Sequence, residues 1–208
     1  MAATASPFGL RPINLIGGQS NNGGVIREYF LPSNVAAAYF TGAIMFVNQN
    51  GVITPVTGSS PTTSTVGVAG VCVGVRYTDP TLKYTVFGQY LPSGAYTAGY
   101  RDIYIRVTDD PDQLFSIQAE TVVGSRTNGA RGCIGQNCPV TTTFTGNVTT
   151  GLSTTALATG TNWGTPATTS TFAMRIVDII TPDDAYPEVL VKFNHGVHSY
   201  YSATGVAT

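Results

Sequence analysis

Two histidines, three cysteines and a run of aspartates are the residues of this chain whose types could do chemistry. His195 and His198 stand three apart. On a strand that spacing sends the two rings to opposite faces, so a shared metal ion would need a turn between them, which Gly196 permits. No third ligand accompanies the pair, and no metal site is expected. A Ser or Cys nucleophile would have to borrow one of these two imidazoles, and the chain has no Gly-x-Ser-x-Gly elbow. Asp109, Asp110 and Asp112 lack the alternating spacing, central glycine and terminal glutamate of a calcium loop, and Pro111 among them points to a tight turn. The Gly67 to Gly74 stretch lacks the Lys-Ser/Thr ending of a phosphate loop. Asn147-Val148-Thr149 matches a glycosylation sequon without a secretion signal to support it. The 11 acids offer no selected pair for glycoside hydrolysis. Cys133 and Cys138 could close a small loop in an oxidising setting, and reduced thiols are the expectation for a protein made and used in cytosol. The expectation is therefore no enzyme, no catalytic residue and no cofactor.

Composition points the same way. The chain has 208 residues, enough for one domain or one domain with an arm. Charged residues are 10% of it, against about 25% in an ordinary soluble domain. With 10 Lys+Arg and 11 Asp+Glu there is no basic stripe for direct nucleic-acid binding. The longest apolar stretch, Val35 to Val47, is too short to span a bilayer, so no membrane partner is expected. Thr is the commonest residue at 31, and Lys occurs only twice, which disfavours helical bundles. Eleven Tyr, nine Phe and an Arg-to-Lys ratio of eight to two match the make-up of interface cores, where Lys is depleted. Part of the Tyr count is also ordinary strand preference.

The elements that must position these residues read as strands and turns. Residues 1–24 form an extended arm whose Pro and Gly punctuation leaves no helix or regular strand. Its apolar Phe8, Leu10, Ile13, Leu15 and Ile16 suit docking on a neighbouring subunit or on the arm's own domain. Residues 25–131 form a β-rich body. In it, Val25 to Leu31 is a strand, and Ile44 to Asn48 with Val52 to Val56 make a hairpin around Asn50-Gly51, the signal for a type I′ turn. Thr65 to Tyr77 has small or apolar residues on both faces and reads as a doubly buried strand, its glycines marking a bulge or close backbone approach. Leu82 to Tyr90 and Asp102 to Thr108 follow. Leu114 to Ala119 then returns across the aspartate turn as an antiparallel partner, with a helix over Gln113 to Val123 as the weaker alternative. Residues 132–171 are an uncharged Thr-rich insertion or hairpin, in which Phe144, Leu152, Leu157 and Trp163 favour order over a flexible loop. Residues 172–198 supply two closing strands, and 199–208 a loose polar tail. The fold expected is all-β, a small β-barrel or sandwich.

The opening Ala5-Ser6-Pro7-Phe8-Gly9-Leu10-Arg11-Pro12-Ile13 resembles the start of a family of tailed-bacteriophage virion proteins encoded beside the major capsid protein. The stretch Val107 to Glu120, reading VTDDPDQLFSIQAE, resembles that family's central motif, and Val68 to Val75 and Met174 to Phe193 fit as well. The resemblance implies a head decoration, or cement, protein on the outer surface of the icosahedral head, assembled in the host cytoplasm. Its partners would be the major capsid protein and other copies of itself, a trimer before a dimer on family analogy. The residues assigned to capsid or subunit contact are Pro7, Phe8, Leu10, Arg11, Ile13 and Leu15, on an arm expected to be dispensable for folding. The alternative is a head-fibre or tail accessory protein binding host glycans through Tyr90, Tyr96, Tyr100 and Trp163.

Overall fold

The structure is a computed structural model that describes residues 5–15, 26–57, 61, 67–121, 132–141, 145–159, 166–182 and 184–201. In chain order the strands are β1 (Arg11–Leu15), β2 (Ile26–Phe30), β3 (Tyr39–Phe40), β4 (Ile44–Val47), β5 (Ile53–Pro55), β6 (Val68–Thr78), β7 (Thr85–Gly88) and β8 (Tyr90–Leu91). They continue as β9 (Arg101–Thr108), β10 (Gln113–Gln118), β11 (Asn137–Cys138), β12 (Gly146–Asn147), β13 (Leu152–Ser153), β14 (Met174–Ile179) and β15 (Glu188–Phe193). A short 3-10 turn covers Ser199–Tyr201. The protein is all-β and antiparallel, and its two large sheets stack as a sandwich.

One sheet runs β1-β10-β15-β14-β11, the other β2-β9-β6-β4-β5 with β7 also on β6. Between them lies a core in which Ile44, Val68 and Val71 of the second sheet meet Phe115, Ile117, Ile176, Val191 and Phe193 of the first. A second core covers the opposite face of β6 and β9, where Ala69, Cys72, Val75, Ile103, Ile105 and Val107 pack under Leu31, Tyr39, Leu91 and Ala95. From Val68 to Val75 β6 is thus packed on both faces, as its composition predicts, while Arg76 to Thr78 are half-buried. Strict alternation fails at its glycines. The register against β4 slips next to Gly70, and the register against β9 slips between Cys72 and Gly74. A Cβ on Gly70, at φ +150°, would stand 2.0 Å from the Thr108 carbonyl oxygen, so the backbones meet where no side chain fits.

Several expectations are corrected. β10 does not pair with β9. The Asp109–Asp112 turn carries the chain from one sheet to the other, and β10 lies between β1 and β15. Apolar residues of β10 and β9 feed different cores, which a hairpin in a single sheet would not allow. The β4–β5 hairpin forms, but only Gly51 of its loop is left-handed, so the turn is not type I′. Asn48 shapes it instead, its Oδ1 accepting from the Asn50 and Val52 amides at 2.9 and 3.0 Å. The strand expected from Leu82 starts at Thr85, because Asp79 Oδ1 takes the Thr81 and Leu82 amides into a turn. The arm does contain a regular strand. β1 pairs with β10, Arg11 opposite Ser116, and Leu10 joins the inter-sheet core.

The Thr-rich segment is ordered where it is described, and it is as much core as insertion. Cys138, Val140 and Leu157 are fully buried in the inter-sheet core, and β11 sits on the edge of the first sheet. Thr hydroxyls bond locally: Thr145 with Thr154 at 2.8 Å, and Ser153 with Thr155 at 2.9 Å. Leu152 is half-buried on β13. Phe144 and Trp163 lie outside the described residues, as do residues 16–25.

Candidate interaction surface

The chemical candidates resolve into structural roles. His198 is fully buried and packs on Phe193, while His195 lies exposed against Tyr201, so the two rings diverge across the Gly196 turn. Among the described residues no group of three or more His, Cys, Asp or Glu side chains could hold a metal ion. The aspartates form the turn their sequence suggests, Asp110 Oδ1 accepting from the Asp112 amide at 2.8 Å. Asp109 is buried and receives Arg27 Nε at 3.0 Å, Tyr200 Oη at 3.0 Å and Tyr29 Oη at 3.3 Å. Asp112 receives Tyr201 Oη at 2.8 Å and Lys192 Nζ at 3.2 Å, bonds that hold its carboxyl below the usual range. The turn therefore clasps residues 199–201, which are packed rather than loose. Cys72, Cys133 and Cys138 are all buried, and burial pushes the Cys72 and Cys138 thiols up to about 12. The sequon Asn147 closes an Asx turn on the Thr149 amide at 2.8 Å.

The six arm residues divide between interior and surface. Phe8 and Leu10 are buried, and Leu10 N donates to Gly42 O at 2.9 Å. Gly9 lies against Gly42 so closely that a Cβ on Gly9 would meet the Gly42 oxygen at 2.5 Å. Pro7 and Leu15 are half-buried, and Arg11 and Ile13 face solvent, with the Arg11 guanidinium 3.8 Å over the Phe8 ring. Leu10 therefore belongs to this chain's own core, and the arm over residues 5–15 docks on its own domain.

A second surface went unmarked in the sequence. Across four strands, the register sets Phe30 of β2 opposite Tyr104 of β9, Tyr104 opposite Arg76 of β6, and Arg76 opposite Phe87 of β7. Residues directly opposite share a face. Because Ile103, Ile105 and Val107 of β9 point into the second core, Tyr104 and Arg106 face the other way. Phe30 is 56% exposed and Phe87 65% exposed. The rings and cations brace each other. Phe30 meets Tyr104 edge-on at 5.6 Å, and Arg76 lies 4.1 Å over the Tyr104 ring. Arg106 stands 5.8 Å from the Phe87 centroid. Glu28 fixes the guanidiniums, accepting Arg76 Nη2 at 2.9 Å and Nε at 3.2 Å, with Arg106 Nε at 3.9 Å. The result is a patch of mutually packed aromatic rings and arginines with one carboxylate for two guanidiniums. The alternation of Tyr104 and Arg106 with Ile103, Ile105 and Val107 was the signal that could have found it.

The tyrosines named for glycan stacking are occupied. Tyr90 stacks on Phe40 at 5.5 Å, Tyr100 meets Tyr77 edge-on at 5.0 Å, and the Tyr96 hydroxyl donates to the Leu31 carbonyl. All three are half-buried, and Trp163 is outside the described residues. Compared with known proteins, the chain matches no family model, no curated protein and no solved structure.

Proposed function

We propose that this protein is a virion structural protein, a capsid decoration or cement protein. It binds the outer surface of the major capsid protein shell and stabilises that shell against internal DNA pressure. The observation that carries the reading is the braced row Phe30–Tyr104–Arg76–Phe87, its end rings Phe30 and Phe87 exposed on a sheet whose other face is a packed core. Large exposed rings backed by rigid structure lose little entropy on docking, and Arg beside them offers bidentate bonds to a partner's carboxylates. The resemblance of Ala5 to Ile13 and Val107 to Glu120 to motifs of tailed-phage virion proteins supports the major capsid protein as that partner. Symmetry repeats the contact many times over a shell, so modest affinity per copy suffices. In this assembly Arg11 and Ile13 form an accessory contact, since they are the arm residues left on the surface.

The test adds purified protein to expanded heads lacking it and reads occupancy by cryo-EM. Saturable binding at symmetry-related positions, with the aromatic row at the interface, is the expected result. Heads that take up no protein would sink the reading.

A further inference from the structure

A groove of about 480 Å³ opens over β14 and β15, in the size range of small-ligand sites. Arg175, Lys192, Asn194, His195 and Tyr201 supply its polar walls, and among the described residues no Asp or Glu lines it. The strand register places Arg175 directly opposite Lys192. Like charges at that position repel, so the pair costs stability unless something negative joins it. Lys192 has its partner already, Asp112 at 3.2 Å, and the same Asp112 oxygen holds the Tyr201 hydroxyl. Arg175 has none. Its Nε donates to Asn137 Oδ1 at 3.0 Å, and no acceptor among the described residues meets its two Nη groups. Asn137 is 4% exposed and is itself anchored, its Nδ2 donating to Thr169 O at 3.0 Å. A buried amide thus orients a guanidinium whose fork is left free, which is how a site for a planar oxyanion is built.

We propose that this groove binds a carboxylate carried on a ring, an acidic sugar residue of the uronate class. The free charge selects the anion. One unpaired guanidinium matches one carboxylate better than a doubly charged phosphate, because Lys192 is already neutralised. The rings of His195 and Tyr201, 5.4 Å apart and tilted by 38°, form an aromatic wall on which the apolar face of a sugar ring can lie. The site does not share residues with the aromatic row or with the arm, so it stands whether or not the protein decorates a capsid.

The experiment titrates the purified full chain with sodium glucuronate, glucose, inorganic phosphate and a Glu-rich peptide, following amide NMR shifts. Glucuronate should move resonances of Arg175, Lys192, His195 and Tyr201 and saturate in the millimolar range. Glucose should bind at least tenfold more weakly. Arg175→Gln, on an exposed side chain, should keep the native spectrum and lose at least tenfold in glucuronate affinity. Arg175→Lys, which keeps the charge without the fork, should recover only part of it. Absence of glucuronate binding overturns the proposal. So does tighter binding of phosphate, binding of the acidic peptide alone, or an Arg175→Gln variant that binds as well as the parent.

Discussion

His198 shows how one buried side chain ties stability to pH. Burial lowers its pKa from the ordinary 6.5, outweighing the pull of Asp109, Asp110 and Asp112 in the other direction. The unfolded chain therefore takes up a proton more readily than the folded one. Stability is full above pH 6.5 and declines as pH falls through the folded value. Asp112 acts lower on the scale. Its folded pKa lies below 3.8, so the stability it contributes is present above that value and is lost as pH falls through the folded one. Urea melts from pH 7.5 to 5 should show a falling midpoint in the parent and a flatter profile in His198→Gln. A parent midpoint that stays level over this range would refute the assignment. Gly9 is the other decisive residue. At φ +75° and in contact with Gly42, Gly9→Ala should cost more than about 2 kcal/mol in chemical denaturation.

Among the elements, β1 changes what the arm can be asked to do. Leu10→Ala leaves a cavity in the inter-sheet core and should cost about 3 kcal/mol, whereas Ile13→Ser on the solvent face should stay within about 0.5 kcal/mol. Thermal melts of the two variants check both figures. Removing residues 1–15 should accordingly lower Tm rather than leave an intact body. Much of the element map was legible. β2, β4, β5, β9, β14 and β15 follow runs of β-type residues bounded by Pro, Gly and Asn, and β6 announces its double burial by having no polar face. Pairing was less legible. Whether β10 folds back on β9 or crosses to another sheet depends on which core takes Phe115 and Ile117, and that is decided by residues from 176 to 193. The arm's strand was hidden for a similar reason: Pro12 and Gly9 obscure it locally, and its partner lies about a hundred residues away. The candidate surface was foreshadowed by the Tyr and Arg counts and by the alternation in β9, but only register aligns Phe30, Tyr104, Arg76 and Phe87.

For the whole molecule, the division into a packed interior and one exposed aromatic face separates stability from the proposed adhesion. On the proposed capsid-binding function, the double change Phe30→Ser and Phe87→Ser removes exposed rings only, so Tm should move little while occupancy on heads falls at least tenfold, read by quantitative gel of purified particles. Unchanged occupancy would remove this face from the interface. The order of the strands also sets a timetable for biosynthesis. The sheet built on β6 and β9 has all its members once Thr108 has left the ribosome. The other sheet cannot assemble then, because β10, which β1 requires, is itself flanked by β15, ending at Phe193. Throughout that interval Leu10, Val68 and Val71 lack the layer that covers them. A nascent chain halted shortly after Thr108 should therefore be half-built and sticky, and it is there that a chaperone has most to do.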